Sequence, residues 1–550
     1  MPLTKLQFQP GINKETTSYS NEGGWFDMDK VRFRAGYPEK IGGWTKIGIK
    51  SFLGSCRALH AWRTIALDNY VGLGTSEKYY IESGQGYYDI TPLRLTTSAG
   101  DVTFAATNGS STLTITDTAH GAVAGDFVTF SGASSLGGNI TANILNQEYK
   151  IVSVPNADTY TITARQVNTV ADITVDGQYT DVAVTANSSD TGNGGSSVVG
   201  KYQINTGLQT SVYGNGWGVG YWSRGTWGSA ATVDAQTDTL RLWSHDNFGE
   251  DLIINVRNGG IYYWDASAAN AITLRAVPLS SLGGASNTPT IAAKIIVSDV
   301  DRHVIAFGCN PLGSSTQDPL LIRFSDQENA ADWTPTTTNT AGDLIVGSGS
   351  RIVTAIETRQ QTLVFTDVSV HSMQFLGPPF TFGINMISEN VTIASPNSAI
   401  AVEDNVYWMG KNEFYAYTGQ VQKLPCTVKD FVFSDFNEDQ SEKIFASSNT
   451  SFSEIWWFYP STGSTTIDRY VIYNYAQNIW YYGNLARGAW LDRGIQEFPI
   501  AAGLDGYLYF HENGFDDGST APASAISSYI ESSQFDIGDG GKKIYPLLQI

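Results

Sequence analysis

The sequence predicts an all-β protein with a β-propeller core, an inserted small β-barrel or β-sandwich domain and an extended N-terminal segment. Hydrophobic residues make up 41% of the 550 residues and aromatic residues 12%, whereas charged residues reach only 16%; this composition suits many short strands and turns. Pairs of apolar, aromatic segments recur along the chain. The clearest stretch, residues 454–490, is a ladder of aromatic segments joined by short polar turns, and aromatic and β-branched side chains favour pleated sheets.

Residues 1–52 form the predicted extended N-terminal segment. It contains Gly23-Gly24-Trp25-Phe26 and Gly42-Gly43-Trp44. These motifs place large rings beside conformationally free glycines, and we expect the rings to pin extended chain to the core.

Seven predicted β-hairpins follow, each an apolar segment, a short turn and a second segment with Tyr, Phe or Trp. They lie at residues 70–81, 251–265, 303–325, 363–375, 405–417, 468–480 and 500–510. Such recurrence at roughly 40–60 residues is typical of a β-propeller, which would start at 53–95 and continue through 198–550 with C-terminal strands. A run of β-meanders in a sandwich is the alternative, and the number of hairpins leaves the number of blades open.

Residues 96–197 interrupt this pattern and predict a separate inserted β-domain. The segment is rich in Thr, Ala, Val, Asn and Gly and contains no Trp. Strict two-residue alternation at 111–116 and 159–164 predicts half-buried strands. Its end, through Asn193-Gly194-Gly195, has the Ser/Asn/Gly composition of a linker.

Helix is predicted to be scarce, and the best candidate starts near Ser434-Asp435 with carboxylates Glu438, Asp439 and Glu442 near its N-terminus, where the helix dipole favours them. The last residues, 543–550, stop inside a predicted strand, so a further piece of chain is expected beyond them.

The net charge of −20 excludes a chain that grips a nucleic-acid backbone over its whole surface, because such binding uses Lys and Arg. An acidic wall can still surround DNA and leave it free to slide. Three widely spaced cysteines predict no disulfide framework or zinc pair. The sequence shows no signal peptide and no apolar run of about 20 residues that would span a membrane.

No metal, cofactor or catalytic site is predicted. Asp435-x-Asn437-x-Asp439 begins like a calcium loop but lacks the glycine required at its sixth position, so a helix cap is the better interpretation. Gly214–Gly220 misses the dinucleotide spacing. With Trp217, Trp222 and Trp227 it forms a candidate interface or loop rich in aromatics, which could contact a glycan or pack in the core.

Glycan hydrolysis is the enzymatic alternative. Residues 325–333, from Ser325-Asp326 to Trp333, loosely resemble the Asp-box turn of sialidase propellers but lack its glycine. A sialidase also needs three converging arginines, a Tyr and acidic residues. The candidate arginines are Arg224, Arg241, Arg257, Arg302, Arg323 and Arg351.

The aromatic ladder belongs to a set of motifs that resembles the tail nozzle proteins of short-tailed bacteriophages, also called tail tubular protein B or packaged-DNA stabilisation protein. The matching segments are 24–34, 38–44, 247–255, 260–265, 323–333, 456–460, 468–475, 480–483 and 486–490. They are specific as a set and cover most of the chain outside the insertion. The ladder aromatics are assigned to blade structure: Trp456, Trp457, Tyr459, Tyr473, Trp480 and Trp490.

This resemblance implies a non-enzymatic virion subunit, assembled in the host cytoplasm, that forms a six-fold ring below the portal and the tail adaptor ring. Residues 1–52 would contribute to the ring platform. The ring would conduct double-stranded DNA without sequence-specific binding and close the channel before infection, and tail fibres or spikes would attach around it. A receptor- or glycan-binding tail propeller is the alternative. The insertion has no counterpart in the pattern, and one hypothesis makes it an adhesive or decoration domain.

Overall fold

Seven four-stranded antiparallel blades surround one axis in the computed structural model, which describes residues 7–167, 181–211, 239–377, 380–534 and 547–548. The first strands of successive blades contact one another, and that of blade 7 contacts that of blade 1. The ring is therefore closed, and the chain is a seven-bladed β-propeller. The predicted fold class is confirmed, and each predicted hairpin lies within a different blade.

The blades contain the following strands in chain order. Blade 1 contains Cys56–Arg63, Asn69–Thr75, Tyr79–Ser83 and Gly86–Asp89. Blade 2 contains Trp243–Phe248, Asp251–Val256, Ile261–Trp264 and Val277–Pro278. Blade 3 contains Ala292–Val297, Val304–Cys309, Leu321–Phe324 and Gly342–Ile345. Blade 4 contains Ile352–Glu357, Thr362–Thr366, Ser369–Gly377 and Thr381–Glu389. Blade 5 contains Ala399–Val402, Asn405–Met409, Phe414–Tyr417 and Val421–Lys423. Blade 6 contains Phe445–Asn449, Glu454–Tyr459, Arg469–Asn474 and Ile479–Asn484.

Blade 7 is built from both ends of the chain. Its first three strands are Arg487–Leu491, Ile500–Gly503 and Leu508–His511, and its fourth is the N-terminal Trp44–Lys46, paired through Phe510 and Thr45. Asp516–Gly518 and Ser524–Ala525 extend this sheet. The N-terminal segment thus supplies the fourth strand of blade 7, a pairing that the sequence did not reveal.

A second sheet, the terminal sheet, also joins the two ends. Its strands are Gln9–Ile12, Gly24–Asp29, Tyr529–Ser532 and Leu547–Leu548, in that order. It lies against the outer strand of blade 6, and the hairpin Val31–Arg34 with Tyr37–Lys40 follows it in the chain. Tertiary pairing thus turns the predicted extended segment into several short strands.

The inserted domain is a sandwich of two four-stranded sheets with its own core. One sheet has the order Leu93–Thr96, Val199–Gln203, Phe127–Ser131, Glu148–Lys150. The other has the order Thr103–Ala106, Thr112–Thr116, Thr159–Thr163, Ser153–Asn156. Arg165–Val167 pairs with Asp181–Ala183, and a short helix spans Ala142–Leu145. Alternate side chains such as Leu113, Ile115, Tyr160 and Ile162 are buried between the sheets.

Residues 184–198 differ from the predicted linker, because they are bound along the inserted domain. The Gly192 N–H donates to Leu136 O at 2.8 Å, and the Phe104 N–H donates to Asn193 O at 3.0 Å. A Cβ on Gly194, at φ +88°, would lie 2.5 Å from the Phe104 ring. Glycine at this position therefore allows close packing rather than free movement.

The helical segment differs from its prediction in position. The α-helix spans Lys429–Asp435, so it ends where it was expected to begin. A 3₁₀ helix, Glu438–Lys443, follows, and the Asn437 side chain accepts a hydrogen bond from the Asp439 N–H. The cap and the carboxylates predicted for an α-helix belong to this 3₁₀ turn. The other 3₁₀ turns are Ala271–Thr273, Leu279–Ser281 and Thr450–Phe452.

Candidate functional site

An axial cavity of about 350 Å³ runs along the centre of the propeller and is lined by first-strand residues from all seven blades. First strands are exposed at their inner edge, because the axis has no further strand to pair with. Side chains of the neighbouring blade accept hydrogen bonds from some of the backbone N–H groups at this edge. The Ile295 N–H of blade 3 donates to the Ser244 hydroxyl of blade 2 at 3.0 Å. The Val297 N–H donates to the Asp246 carboxylate at 2.9 Å. Polar side chains in these strands therefore hold adjacent blades together.

Basic groups line the cavity near the beginnings of the first strands. Arg57 donates through Nη2 to Gln209 O at 2.7 Å, and Arg257 pairs through Nη2 with Glu442 Oε1 at 2.5 Å. Burial lowers the pKa of Arg57 to about 10. Lys443 lies beside Arg57 but outside the axial cavity, and burial together with the charge of Arg57 lowers its pKa to about 8.

Acidic groups lie toward the other ends of the same strands. Glu357 accepts a hydrogen bond from the Asp299 N–H at 3.1 Å. Burial, together with the charges of Asp299, Asp246 and Asp301, raises the pKa of Glu357 to about 7 against the effect of that hydrogen bond. Basic side chains thus line the cavity near the beginnings of the first strands, and carboxyl groups line it near their ends.

Lys294 lies between blades 3 and 4, where its Nζ donates to Thr354 Oγ1 at 2.8 Å. Burial lowers its pKa to about 8, while the charge of Asp246 opposes this change. No sequence motif indicates these charged residues of the axial cavity. The available signal was a charged residue inside an otherwise apolar first strand.

Two histidines meet between blades 1 and 2. The ring centroids of His60 and His245 are 5.1 Å apart, and the Tyr79 hydroxyl lies 2.7 Å from His245 Nδ1. Burial lowers the pKa of His245 far below its usual value, and the His60 charge adds to this. His245 is therefore neutral at pH 7 and suits a structural contact. Within the described ranges, no group of three or more His, Cys, Asp and Glu side chains is placed to hold a metal ion.

The neck, formed by Lys78, Asp89, Glu148, Gln203 and Arg275, fixes the inserted domain to the propeller. Lys78 pairs with Asp89 at 2.7 Å and also with Glu148, and Arg275 pairs with the same carboxylates at 2.8 and 3.5 Å. Gln203 Nε2 donates to both. Burial opposes ionisation of Asp89, but the charges of Lys78 and Arg275 keep its pKa below the usual value.

The seam, formed around Arg32, Glu454 and Glu512, fixes the N-terminal segment to blades 6 and 7. Arg32 is 1% exposed; its Nε lies 3.1 Å from Glu454 Oε1 and its Nη2 lies 2.5 Å from Glu512 Oε1. Glu454 also accepts hydrogen bonds from the Tyr481 hydroxyl at 2.6 Å and from Trp456 Nε1 at 2.9 Å. Arg32 lies within the motif at 24–34, but nothing in the sequence indicates its partners.

The aromatics assigned to blade structure all lie in blades 6 and 7 and are all buried: Trp456, Trp457, Tyr459, Tyr473, Trp480 and Trp490. Trp457 stacks on Trp480 with ring centroids 5.9 Å apart, and Trp456 stacks on Trp490 at 5.4 Å. Trp490 also lines the axial cavity. The candidate loop aromatics Trp217, Trp222 and Trp227, the loop 214–220 and Arg224 lie outside the described residues.

Four of the described candidate arginines have partners in different places, and the fifth, Arg351, is exposed. Arg241 donates to Asn205 O, Arg257 pairs with Glu442, and Arg302 pairs with Glu328. Arg323 donates to Asn310 O, Asn287 O and Trp333 O.

The loop that resembles an Asp box is a structural turn of blade 3. The Asp326 carboxylate accepts from Thr340, and Trp333 is buried. In the described ranges no helix is long and apolar enough to cross a membrane.

No family model and no curated protein matches the chain. Among solved structures, it is similar to the AfRom2 CNH domain at 11% identity and a TM-score of 0.28, covering 56% of this chain and 94% of that chain. It is similar to BamB from Moraxella catarrhalis at 14% identity and a TM-score of 0.27, covering 51% of this chain and 88% of that chain. It is also similar to the phage phi92 endosialidase at 10% identity and a TM-score of 0.20, covering 92% of this chain and 78% of that chain. Matches this weak carry no information on activity, and the fold of this chain is established by its own seven blades.

Proposed function

We propose that the chain is a structural, non-enzymatic subunit of a short phage tail, forming the distal ring, or nozzle. In this role it conducts DNA during ejection and retains packaged DNA before infection. The proposal begins from the set of motifs that resembles tail nozzle proteins. It is supported by the place where those motifs meet in the structure.

The observation that carries the proposal is the seam. Arg32, from the motif at 24–34, reaches Glu454 at the start of the aromatic ladder, although the two residues are 422 positions apart in the chain. Tyr482, from the motif at 480–483, donates to Asp27 at 2.7 Å. Segments that carry the resemblance separately in sequence thus form one packed unit, which is the behaviour expected of a shared structural framework.

The architecture suits a stiff wall. Both chain ends are paired into sheets beside blades 6 and 7, and charged contacts fix the insertion at the neck. A homo-oligomer of such subunits closes by symmetry. Six copies would carry six times −20, or −120, formal charges, which would repel the phosphates of passing DNA.

Symmetry-free averaging of purified particles by electron microscopy tests the proposal. We expect six copies in a ring at the distal end of the tail, in contact with an adaptor ring, with fibres or spikes around it and an acidic lumen. A compact monomer absent from particles would refute the proposal, and a strongly basic lumen would refute the sliding mechanism. Incubation with host polysaccharide should release no reducing sugar; release would favour the glycan-active alternative.

A further inference from the structure

The third and fourth strands of blade 4 extend into an arm, defined as residues 374–377 and 380–386. Ser369–Gly377 and Thr381–Glu389 have nine residues each and are the longest strands in the described part of the chain. The first five residues of the third strand are buried, whereas the next three are exposed. The hairpin therefore continues past the core that stabilises the rest of the blade.

One face of the arm is fixed to blade 3. The Phe375 ring lies 6.0 Å from the His303 ring, and the Phe382 ring lies 4.9 Å from the Phe324 ring. Thr381 Oγ1 donates to Thr340 O at 3.1 Å. These contacts hold the arm in a defined position, so it can present a surface without first becoming ordered.

The other face of the arm exposes apolar side chains. At the tip of the hairpin, Phe380 is 74% exposed and Leu376 60%. Taking roughly 150–250 Å² for a complete large side chain, these two present on the order of 250 Å² of apolar surface. Large apolar side chains exposed together at the tip of an ordered hairpin offer a surface that a partner can cover.

Charge indicates which kind of partner fits. Residues 369–388 contain no Asp, Glu, Lys or Arg, although the chain carries 86 charged residues and a net charge of −20. Two copies of an acidic chain repel each other over most of their surface. An uncharged apolar arm is a surface that a second copy can approach without that cost, and it offers nothing to attract DNA.

Area indicates how the contact is used. A stable dimer buries roughly 800 Å² on each partner, so the arm does not hold two copies together by itself. In a closed ring each subunit gives one arm and receives one, and closure adds the contacts together. The fourth strand also lies at the edge of its sheet, where backbone groups can pair with another chain.

We propose that the arm of blade 4 packs on the neighbouring copy of this chain. This inference rests on the ring of the proposed function and names one contact that holds it.

Photo-cross-linking in assembled particles tests the contact directly. A benzophenone amino acid replaces Phe380 in the full chain, and in a matched control it replaces Phe515, an aromatic residue that is 79% exposed beside blade 7. We expect irradiation to produce a cross-linked pair of this chain at position 380, at a yield at least fivefold above that at position 515. No cross-link from position 380, or a cross-link to a different tail protein, would overturn the inference.

The same particles separate the two proposals. A six-fold ring without the cross-link from position 380 would leave the proposed function standing and reject the arm contact. If the particles lack this chain, the proposed function fails. The irradiation is then repeated on concentrated purified protein. A cross-linked pair from position 380 supports the arm contact, and its absence rejects it.

A variant gives a second readout. Leu376→Asp with Phe380→Asp should reduce ring assembly at least tenfold while the circular dichroism spectrum stays unchanged, and Phe515→Asp should assemble normally. Normal assembly of the double variant would also overturn the inference.

Discussion

The seam and the neck are both joints built around charged side chains, but they differ in how far water is excluded. At the seam Arg32 is 1% exposed and Glu454 is 0% exposed. At the neck Lys78 is 3% exposed, but Asp89 is 18% and Glu148 26% exposed. A buried charge that loses its partner remains desolvated without compensation, whereas water can hydrate a partly exposed charge that loses its partner. The seam should therefore be the more sensitive joint.

The largest expected effect is at the seam. Arg32→Met leaves Glu454 buried without its cation, and we expect a loss of roughly 3–5 kcal/mol in unfolding free energy. Urea unfolding followed by tryptophan fluorescence measures this, and hydrogen exchange in Gly24–Asp29 localises it. Arg32→Lys keeps the charge but not the bidentate geometry of the guanidinium, so we expect an intermediate loss of unfolding free energy. If Arg32→Met lowered the unfolding free energy by less than about 1 kcal/mol, the seam would be no more sensitive than the neck.

At the neck, Lys78→Met should cost less, roughly 1–2 kcal/mol, because Arg275 remains beside both carboxylates and water reaches them. Hydrogen exchange should accelerate in Leu93–Thr96 and Val199–Gln203 while blade 6 stays protected. Lys150→Met is the matched control: Lys150 pairs with Glu77 at 2.9 Å but is 51% exposed, and we expect little change. Equal acceleration in blade 6 would mean that the neck is not a local joint.

Glu357 sharpens the comparison because burial, and then neighbouring carboxylates rather than a cation, shift its pKa. Its pKa, raised to about 7, gives a stabilising contribution that is complete below its ordinary pKa and is lost as pH rises through 7. The native chain should therefore lose roughly 1 kcal/mol between pH 5 and 8, after solvent screening is allowed for. Glu357→Gln should remove this loss in thermal unfolding at the two pH values. Glu389→Gln, on the same blade and exposed, should leave it; an unchanged pH profile in Glu357→Gln would count against the assignment.

The smallest effect is expected at an ion pair whose two side chains are exposed to solvent. Arg359 and Asp404 are 3.7 Å apart and 80% and 52% exposed. Arg359→Ala should change unfolding free energy by less than about 0.5 kcal/mol. A loss comparable to that of Lys78→Met would show that exposure does not rank these joints.

Several elements could be predicted because their signals are local. Each of the seven hairpins carries its own alternation and turn residues, and each corresponds to part of one blade. The insertion was visible through its Thr-rich composition and lack of Trp, although its sheets extend from Leu93 to Gln203 rather than from 96 to 197. The helix was displaced because Asn437, a good cap, serves a 3₁₀ turn.

Other elements depend on partners far away in the chain. Trp44–Lys46 looks like any extended segment until it pairs with Leu508–His511. Residues 184–198 have the composition of a linker, but hydrogen bonds to Leu136 and Phe104 bind them to the inserted domain. Composition reports flexibility in the unfolded chain and does not report which backbone groups find partners.

The sequence by itself determined the strand-rich character, the blade hairpins and the acidic balance, because period-two patterning, turn chemistry and charge are properties of short segments. The tertiary structure alone decided the closure of the ring through blade 7, the burial of Arg32 between Glu454 and Glu512, and the placing of basic and acidic side chains around the axial cavity. These features bring together residues hundreds of positions apart. Their energies come from desolvation and geometry, which exist only after the chain has folded.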